Sequence, residues 1–194
     1  MAGGTNLIPN LRDGAIHPGL VVDLGGIKTL KYIREKDGRI KIGALTTISD
    51  LMGSSLIKKR AGLLWDAIQT FAGPLVRNRA TVGGNLVDAS PAADTAVPLL
   101  ALNAQVKLRS TKGQRTVALN NFFTAYQKTM IRPGEILSEV VFPIPPRRMK
   151  HGYFKLGRRN AMAISVVSVA MLLDMKKKIC ADAAIALGSV APTP

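Results

Sequence analysis

Arg77-Asn78-Arg79-Ala80-Thr81-Val82-Gly83-Gly84-Asn85-Leu86, continued by Ala89-Ser90-Pro91-Ala92-Ala93-Asp94, carries most of the information in this chain. Paired glycines let a backbone turn sharply and expose consecutive N–H groups, with no Cβ in the way. Such a concave run of donors favours anions, phosphate above all. A related stretch, Gly3-Gly4-Thr5-Asn6-Leu7, stands about eighty positions earlier. Thr5, Asn6, Thr81 and Asn85 add side-chain hydrogen-bonding groups. Brought together, the two runs could hold the two phosphates of a dinucleotide. Gly-Gly-Asn is also common turn chemistry, so the residues alone leave both readings open.

Outward from these runs the pattern is mixed. Leu7, Ile8 and Leu11 predict a short helix, and Leu20-Val21-Val22-Asp23-Leu24 a buried strand ended by Gly25-Gly26. Ile27, Leu30 and Ile33 have a helical spacing, whereas Arg39 to Gly43 alternates as a strand does. Thr47 or Ser49 is expected to cap a helix around Leu51 and Met52. Leu63, Leu64, Ala67, Ile68 and Phe71 share one helical face, ended by Gly73-Pro74. A loop is expected from Leu75 to Ala89, then a helix that Ser90 caps and Pro91 opens, running through Val97 to Leu102. Thr111-Lys112-Gly113-Gln114 reads as a hairpin turn between Val106–Leu108 and Thr116–Leu119. Asn120-Asn121 would cap a short aromatic helix from Phe122 to Tyr126, and Ile136 to Phe142 reads as a strand closed by Pro143. Tyr153–Leu156, Ser165–Met175 and Ile179–Leu187 read as an antiparallel sheet that turns at Lys176-Lys177-Lys178 and that no helix covers.

The composition sets limits. Of 194 residues, 47% are hydrophobic and 20% charged, which suits a folded domain and excludes a disordered one. Cys180 is the one cysteine, and His17 and His151 are the two histidines, so an iron–sulfur cluster or zinc centre lacks its ligands. A single cysteine also points to a reducing compartment, and with no leader-like N-terminus the expected location is cytoplasmic. The longest apolar run, Ala161 to Leu173, is broken by Ser165 and Ser168 and falls short of the roughly 20 residues a membrane span needs. The net charge of +15 favours an anionic partner: nucleic acid, a phosphate-bearing cofactor, an acidic protein or a membrane surface. Eleven basic residues fall in four clusters: Lys58-Lys59-Arg60, Arg147-Arg148 with Lys150, Arg158-Arg159, and Lys176-Lys177-Lys178. At 5%, aromatic residues are sparse for stacking on bases. The dinucleotide G-x-G-x-x-G, the P-loop and the G-x-S-x-G elbow are all missing.

Ala2-Gly3-Gly4-Thr5-Asn6-Leu7 resembles the first flavin loop of the FAD-binding, medium subunits of molybdenum hydroxylases, the xanthine dehydrogenase and carbon monoxide dehydrogenase group. Arg77 to Leu86 resembles their second loop, and Ala89-Ser90-Pro91-Ala92-Ala93-Asp94 continues that signature. Pro98 to Leu102, Arg132 to Leu137 and Phe154 to Arg159 are similar too, so the resemblance runs over essentially the whole chain. Members of the family begin before the first loop and continue past this C-terminus, so the resemblance implies truncation at both ends. Asn6 stands where an acidic residue is frequent.

The resemblance implies an α+β fold. Residues 1–146 would be a PCMH-type FAD-binding domain with two α/β subdomains, about 1–53 and 54–146. Residues 147–194 would open an incomplete C-terminal α+β domain with an antiparallel sheet. Ala2, Gly3, Gly4, Thr5, Asn6 and Leu7 would wrap the FAD pyrophosphate, and Thr81, Gly83, Gly84 and Asn85 would hold it from the other side. Ser90 and Asp94 would lie near the ribityl–ribose region, and Phe71, Leu137 and Lys155 near the ring. The implied function is electron transfer, as an FAD-dependent oxidoreductase subunit with no organic substrate of its own. Its partners in a heterotrimer would be a molybdopterin-binding large subunit and an iron–sulfur small subunit, with NAD as a possible acceptor. No nucleic acid is expected. Two alternatives stay open: another PCMH-fold flavoprotein of the enolpyruvyl-reductase type, and a basic nucleic-acid-binding module.

Overall fold

Asp37 and Gly38 both take left-handed backbone angles, φ 55° and 68°, and close a tight hairpin. It joins strands that belong to one sheet, reached from the N-terminus as follows. The computed structural model describes residues 1–194. After helix α1 (Leu7–Arg12), a 3₁₀ turn (Lys28–Leu30) leads into β1 (Ile33–Lys36), and the hairpin leads to β2 (Arg39–Gly43). The helical spacing of Ile27, Leu30 and Ile33 therefore ends as a strand, because Asp-Gly turn chemistry overrides a weak period. The expected buried strand at Leu20–Leu24 is not formed: Leu20 is 80% exposed. That segment lies extended along the N-terminus, the Leu24 N–H donating to the Met1 carbonyl at 2.8 Å, and no strand flanks it.

Helices follow in series: α2 (Ile48–Gly53), α3 (Ser55–Arg60), α4 (Gly62–Gln69), α5 (Pro74–Arg77), α6 (Val82–Asp88) and α7 (Ala96–Ala101). Thr47, not Ser49, caps α2. Its hydroxyl accepts from the Asp50 N–H at 3.1 Å, and Asp50 accepts in return from the Thr47 N–H at 3.0 Å, a capping box worth about 1 kcal/mol. On α4, Leu63, Leu64, Ala67 and Ile68 are buried on one face as their spacing predicts. Gly73-Pro74 does not end that helix but starts α5, Pro74 taking the first helical position, where its missing N–H costs nothing. The expected loop from Leu75 to Ala89 is largely α5 and α6. Ser90 and Pro91 form a turn rather than a helix start, and α7 begins six residues later with Thr95 as its N-cap.

The remaining strands are β3 (Gln105–Ser110), β4 (Gly113–Ala118), β5 (Phe123–Ala125), β6 (Lys128–Thr129), β7 (Ile136–Pro143), β8 (Lys150–Gly157), β9 (Ser165–Lys176) and β10 (Ile179–Gly188). An antiparallel sheet runs β1-β2-β7-β3-β4, so strands from before and after residue 53 share one sheet. The central strand β7 is buried from Leu137 to Phe142. Its Glu139 is held by Lys107 at 2.6 Å and by the Tyr32 hydroxyl at 2.6 Å. The expected aromatic helix from Phe122 to Tyr126 does not form: a 3₁₀ turn (Leu119–Asn121) leads into β5 instead. Phe122 and Phe123 pack edge-to-face, their ring centroids 5.3 Å apart.

The last three strands form the expected antiparallel sheet, in the order β10-β9-β8. Contrary to expectation, helices do cover one face, and they come from earlier in the chain: α4 packs on β8, and α7 on β9 and β10. Ala170 and Leu172 are buried there. On the opposite face Phe154, Leu156, Ile185 and Leu187 are exposed. No helix of the structure is long and apolar enough to cross a membrane.

Candidate functional site

The two glycine-rich runs meet. Gly3 lies against the backbone at Arg79: a Cβ built on Gly3 would fall 1.9 Å from the Arg79 carbonyl oxygen. Gly4 takes φ 73°, which only glycine adopts without strain. In this turn none of the backbone N–H groups from Gly3 through Leu7 finds a backbone acceptor. Five consecutive donors are thus left for a ligand or solvent. The Asn6 carboxamide donates to Asp88 at 2.8 Å and ties the turn to the end of α6.

The second run behaves differently from its sequence reading. Gly83 and Gly84 are in the first turn of α6, with no left-handed angles. Their N–H groups are already used: Gly83 donates to the Ala44 carbonyl at 2.9 Å, and Gly84 to the Thr81 hydroxyl oxygen at 3.0 Å. These glycines are required by close packing. A Cβ at Gly83 would fall 2.7 Å from the Ala44 Cβ and carbonyl oxygen. Asn85 is also committed, its Oδ1 accepting from the Thr95 N–H at 3.2 Å and the Thr95 hydroxyl at 2.5 Å. The free backbone donors therefore come from the first run, and the second supplies a wall and the Thr81 hydroxyl.

From this junction a cavity of about 600 Å³ extends between α6, the Ser90–Asp94 turn and β7. Ala2, Gly3, Gly4, Thr5, Asn6, Leu7, Phe71, Thr81, Gly83, Gly84, Asn85, Ser90, Asp94 and Leu137 all line it. Lys155 does not, but is joined to it through Asp94. Its Nζ stands 2.8 Å from Asp94 Oδ2 and 3.2 Å from the Thr70 carbonyl oxygen. Ser90 accepts from the Ala92 N–H at 3.2 Å and shapes the turn that presents Asp94. Burial pushes the Asp94 carboxyl above its ordinary range, and Lys155 opposes that push.

Three neighbours escape a reading of the sequence for ligand contacts. Tyr153, two residues before Lys155 on β8, reaches toward Asp94 at 3.5 Å, and burial raises its phenol far above the usual value. Arg77 donates to the Phe71 carbonyl at 2.6 Å and the Ala72 carbonyl at 2.8 Å, which fixes the turn that places Phe71 in the wall. Met162 also lines the cavity, from the β8–β9 connection. The period-2 alternation of β8 is the signal that could have paired Tyr153 with Lys155.

An unpaired donor run at one end and mainly apolar walls beyond it suit a ligand with a diphosphate and a large flat ring. The size falls within the roughly 300–1,000 Å³ usual for such ligands. Residues 1–145 match the family described as FAD binding domain in molybdopterin dehydrogenase, and residues 152–194 match the CO dehydrogenase flavoprotein C-terminal domain. The chain belongs to this family. It is 33% identical to the xanthine dehydrogenase FAD-binding subunit of Escherichia coli, over 100% of this chain and 67% of that protein. It is 32% identical to the carbon monoxide dehydrogenase medium chain of Afipia carboxidovorans, again over 100% and 67%. Among solved structures, reconstituted CO dehydrogenase from Oligotropha carboxidovorans superposes with a TM-score of 0.96 at 33% identity, covering 100% of this chain and 67% of that one. The protein is thus an FAD-binding subunit of xanthine/CO dehydrogenase-type oxidoreductases, with the family's α+β fold and C-terminal antiparallel sheet.

Proposed function

We propose that the chain passes electrons through FAD, from an iron–sulfur subunit to an acceptor such as NAD, in a complex whose molybdopterin subunit oxidises the substrate. FAD, when bound, supplies a group that can take up and release electrons. The protein's own part is to hold and shield it. The donors from Gly3 to Leu7 would bind the diphosphate, with the Thr81 hydroxyl opposite. Asp94 would accept from ribityl hydroxyls while Lys155 compensates its charge. Phe71 and Leu137 would flank the ring and exclude water. Ala2, Asn6, Gly83, Gly84, Asn85 and Ser90 shape the walls. In this reading residues 1–146 form the FAD domain, 147–194 a second domain, and the complex is cytoplasmic, in keeping with an exposed, unpaired Cys180.

The unsatisfied N–H run beside a cavity of flavin size carries this reading. The purified protein should be yellow, and denaturation should release FAD. Release of FMN, or no flavin after reconstitution, would overturn the proposal. A colourless protein with steeply salt-dependent polynucleotide binding would favour the nucleic-acid alternative.

A further inference from the structure

We infer that the outer face of the five-stranded sheet is a docking surface for an acidic protein, one that presents carboxylates along a helix. The inference stands apart from the FAD reading. Strand pairing assembles this face from residues far apart in sequence. Arg34 and Lys36 of β1 lie opposite Lys41 and Arg39 of β2. Lys107 of β3 lies opposite Glu139 of β7, and Arg109 follows two positions on. Side chains alternate across a sheet, so these residues share one side. The other side carries Ile40, Ile42, Val106, Leu108, Val140 and Phe142, all fully buried. Arg34, Lys36, Arg39 and Arg109 are exposed. None of the six cations belongs to the four basic clusters that run along the sequence.

Carboxylates answer only part of this charge. Glu139 is buried and held by Lys107 at 2.6 Å, by the Tyr32 hydroxyl at 2.6 Å and by Arg34 at 3.6 Å. Asp37, at the hairpin tip, stands 3.6 Å from Lys41. Six cations thus share the face with two carboxylates. Lys36 and Arg109 form no ion pair, and Arg39 meets only the neutral Gln105, at 3.3 Å. Uncompensated cations on one surface draw and orient an anionic partner. Their spacing fits a helix: cations stand about 7 Å apart along a strand and about 5 Å apart across strands, against roughly 6 Å between carboxylates at i and i+4. Nucleic acid is the poorer match, because single strands are held by stacking on aromatic rings. The ring on this face, Tyr32, is already engaged: Arg34 lies 4.5 Å from its centroid, and its hydroxyl is bonded to Glu139. Gln114 and Thr116, exposed on β4, extend the face with neutral hydrogen-bonding groups.

The test titrates the purified chain with a labelled helical peptide of glutamate and alanine and, separately, with labelled oligo(dT). The peptide should bind, and more weakly as salt rises. Lys36→Glu with Arg39→Glu and Arg109→Glu should weaken that binding about tenfold or more. Lys176→Glu with Lys177→Glu and Lys178→Glu makes the same change in net charge at another place and should leave the affinity within about twofold. The melting temperature of the first variant should hold, since none of its three side chains has a charged partner. If reversal does upset the fold, Lys36→Gln with Arg39→Gln and Arg109→Gln still removes the three charges and should weaken the peptide severalfold. An equal loss in both triple reversals would assign the binding to net charge and overturn the inference. Failure of the peptide to bind would overturn it too, as would tighter binding of oligo(dT) that the sheet-face variant abolishes. None of these results bears on the FAD reading, and a chain without flavin would leave the docking face as it stands.

Discussion

Lys155 Nζ stands 2.8 Å from Asp94 Oδ2, with only 6% and 12% of the two side chains exposed. This pair fastens the C-terminal sheet to the turn after α6, across sixty residues of chain. Because both partners are nearly out of water, each needs the other. Removing one should be costly, at about 3 kcal/mol.

Lys155→Met should therefore lower the urea midpoint sharply at neutral pH, while Asp94→Asn with Lys155→Met should recover much of the loss. The single variant has a pH signature. Asp94 already has a raised pKa through burial, and losing Lys155 raises it further. A raised carboxylate pKa means that the ionised form costs stability above that pKa, and the cost vanishes as the group protonates. The deficit of Lys155→Met should shrink on acidification. A deficit independent of pH would show that the lysine acts through packing alone.

Gly84→Val and Asn85→Ala should damage different properties. A side chain at Gly84 meets the Thr81 hydroxyl oxygen at 2.9 Å and the Ala2 Cβ at 3.7 Å, so it intrudes on the proposed diphosphate cradle. Asn85→Ala instead strands two donors of Thr95, a fully buried residue, and should destabilise the fold by about 1–3 kcal/mol. Flavin dissociation constants and urea midpoints, measured on both, should rank the variants in opposite orders. The same order in both assays would refute this division of labour.

These assignments also mark what a sequence can disclose. Strand β2 and the three C-terminal strands were legible because alternation of side chains is a local property. That the Gly-Gly runs mark one place was legible, and both line one cavity, yet the reason for the second pair was not. That reason is Ala44, whose closeness to Gly83 arises only after folding. The Leu20–Leu24 run reads as buried because it is apolar, but a strand also needs a partner strand, and beyond its own turn this segment bonds only to the terminal Met1. The roles of Arg77 and Tyr153 at the cavity were not legible, because both act through other residues. The Asp37-Gly38 hairpin, by contrast, was present as a local signal and went unread.

Glu135, on the cavity rim, gives a prediction with a defined pH window. Its carboxylate accepts from Arg115 at 2.7 and 2.8 Å and from the Arg132 N–H at 2.9 Å. The Arg115 hydrogen bonds, helped by the Arg132 N–H, hold its pKa down at about 2, against an ordinary 4.5. A depressed pKa contributes stability that is complete above the ordinary value and lost as the pH falls toward the folded one. Between pH 4.5 and pH 2 the wild type should lose more melting temperature than Glu135→Gln. Parallel acid limbs for the two proteins would rule out this contribution.

Subunit association offers the last test, and the ion pairs of the structure decide which arginines of the basic clusters to choose. The +15 charge leaves basic clusters available to steer an acidic partner. Two of the candidates have internal duties. Arg60 donates to Glu35 at 2.9 Å. Arg148 grips Asp174 through its Nε and Nη2 atoms at 2.9–3.0 Å, so reversing its charge would break β9's ion pair. Arg147 and Arg158 form no ion pair in the chain, which leaves them to a partner. Arg147→Glu with Arg158→Glu should weaken assembly with the iron–sulfur and molybdopterin subunits, more so at low salt, while FAD stays bound. Arg148→Glu should lower thermal stability as well. The isolated, FAD-loaded chain should accept electrons from an artificial donor yet oxidise no purine, aldehyde or aromatic acid. Turnover of such a substrate by the chain alone would refute the electron-transfer role, whereas unchanged association of the double reversal would refute only the choice of surface.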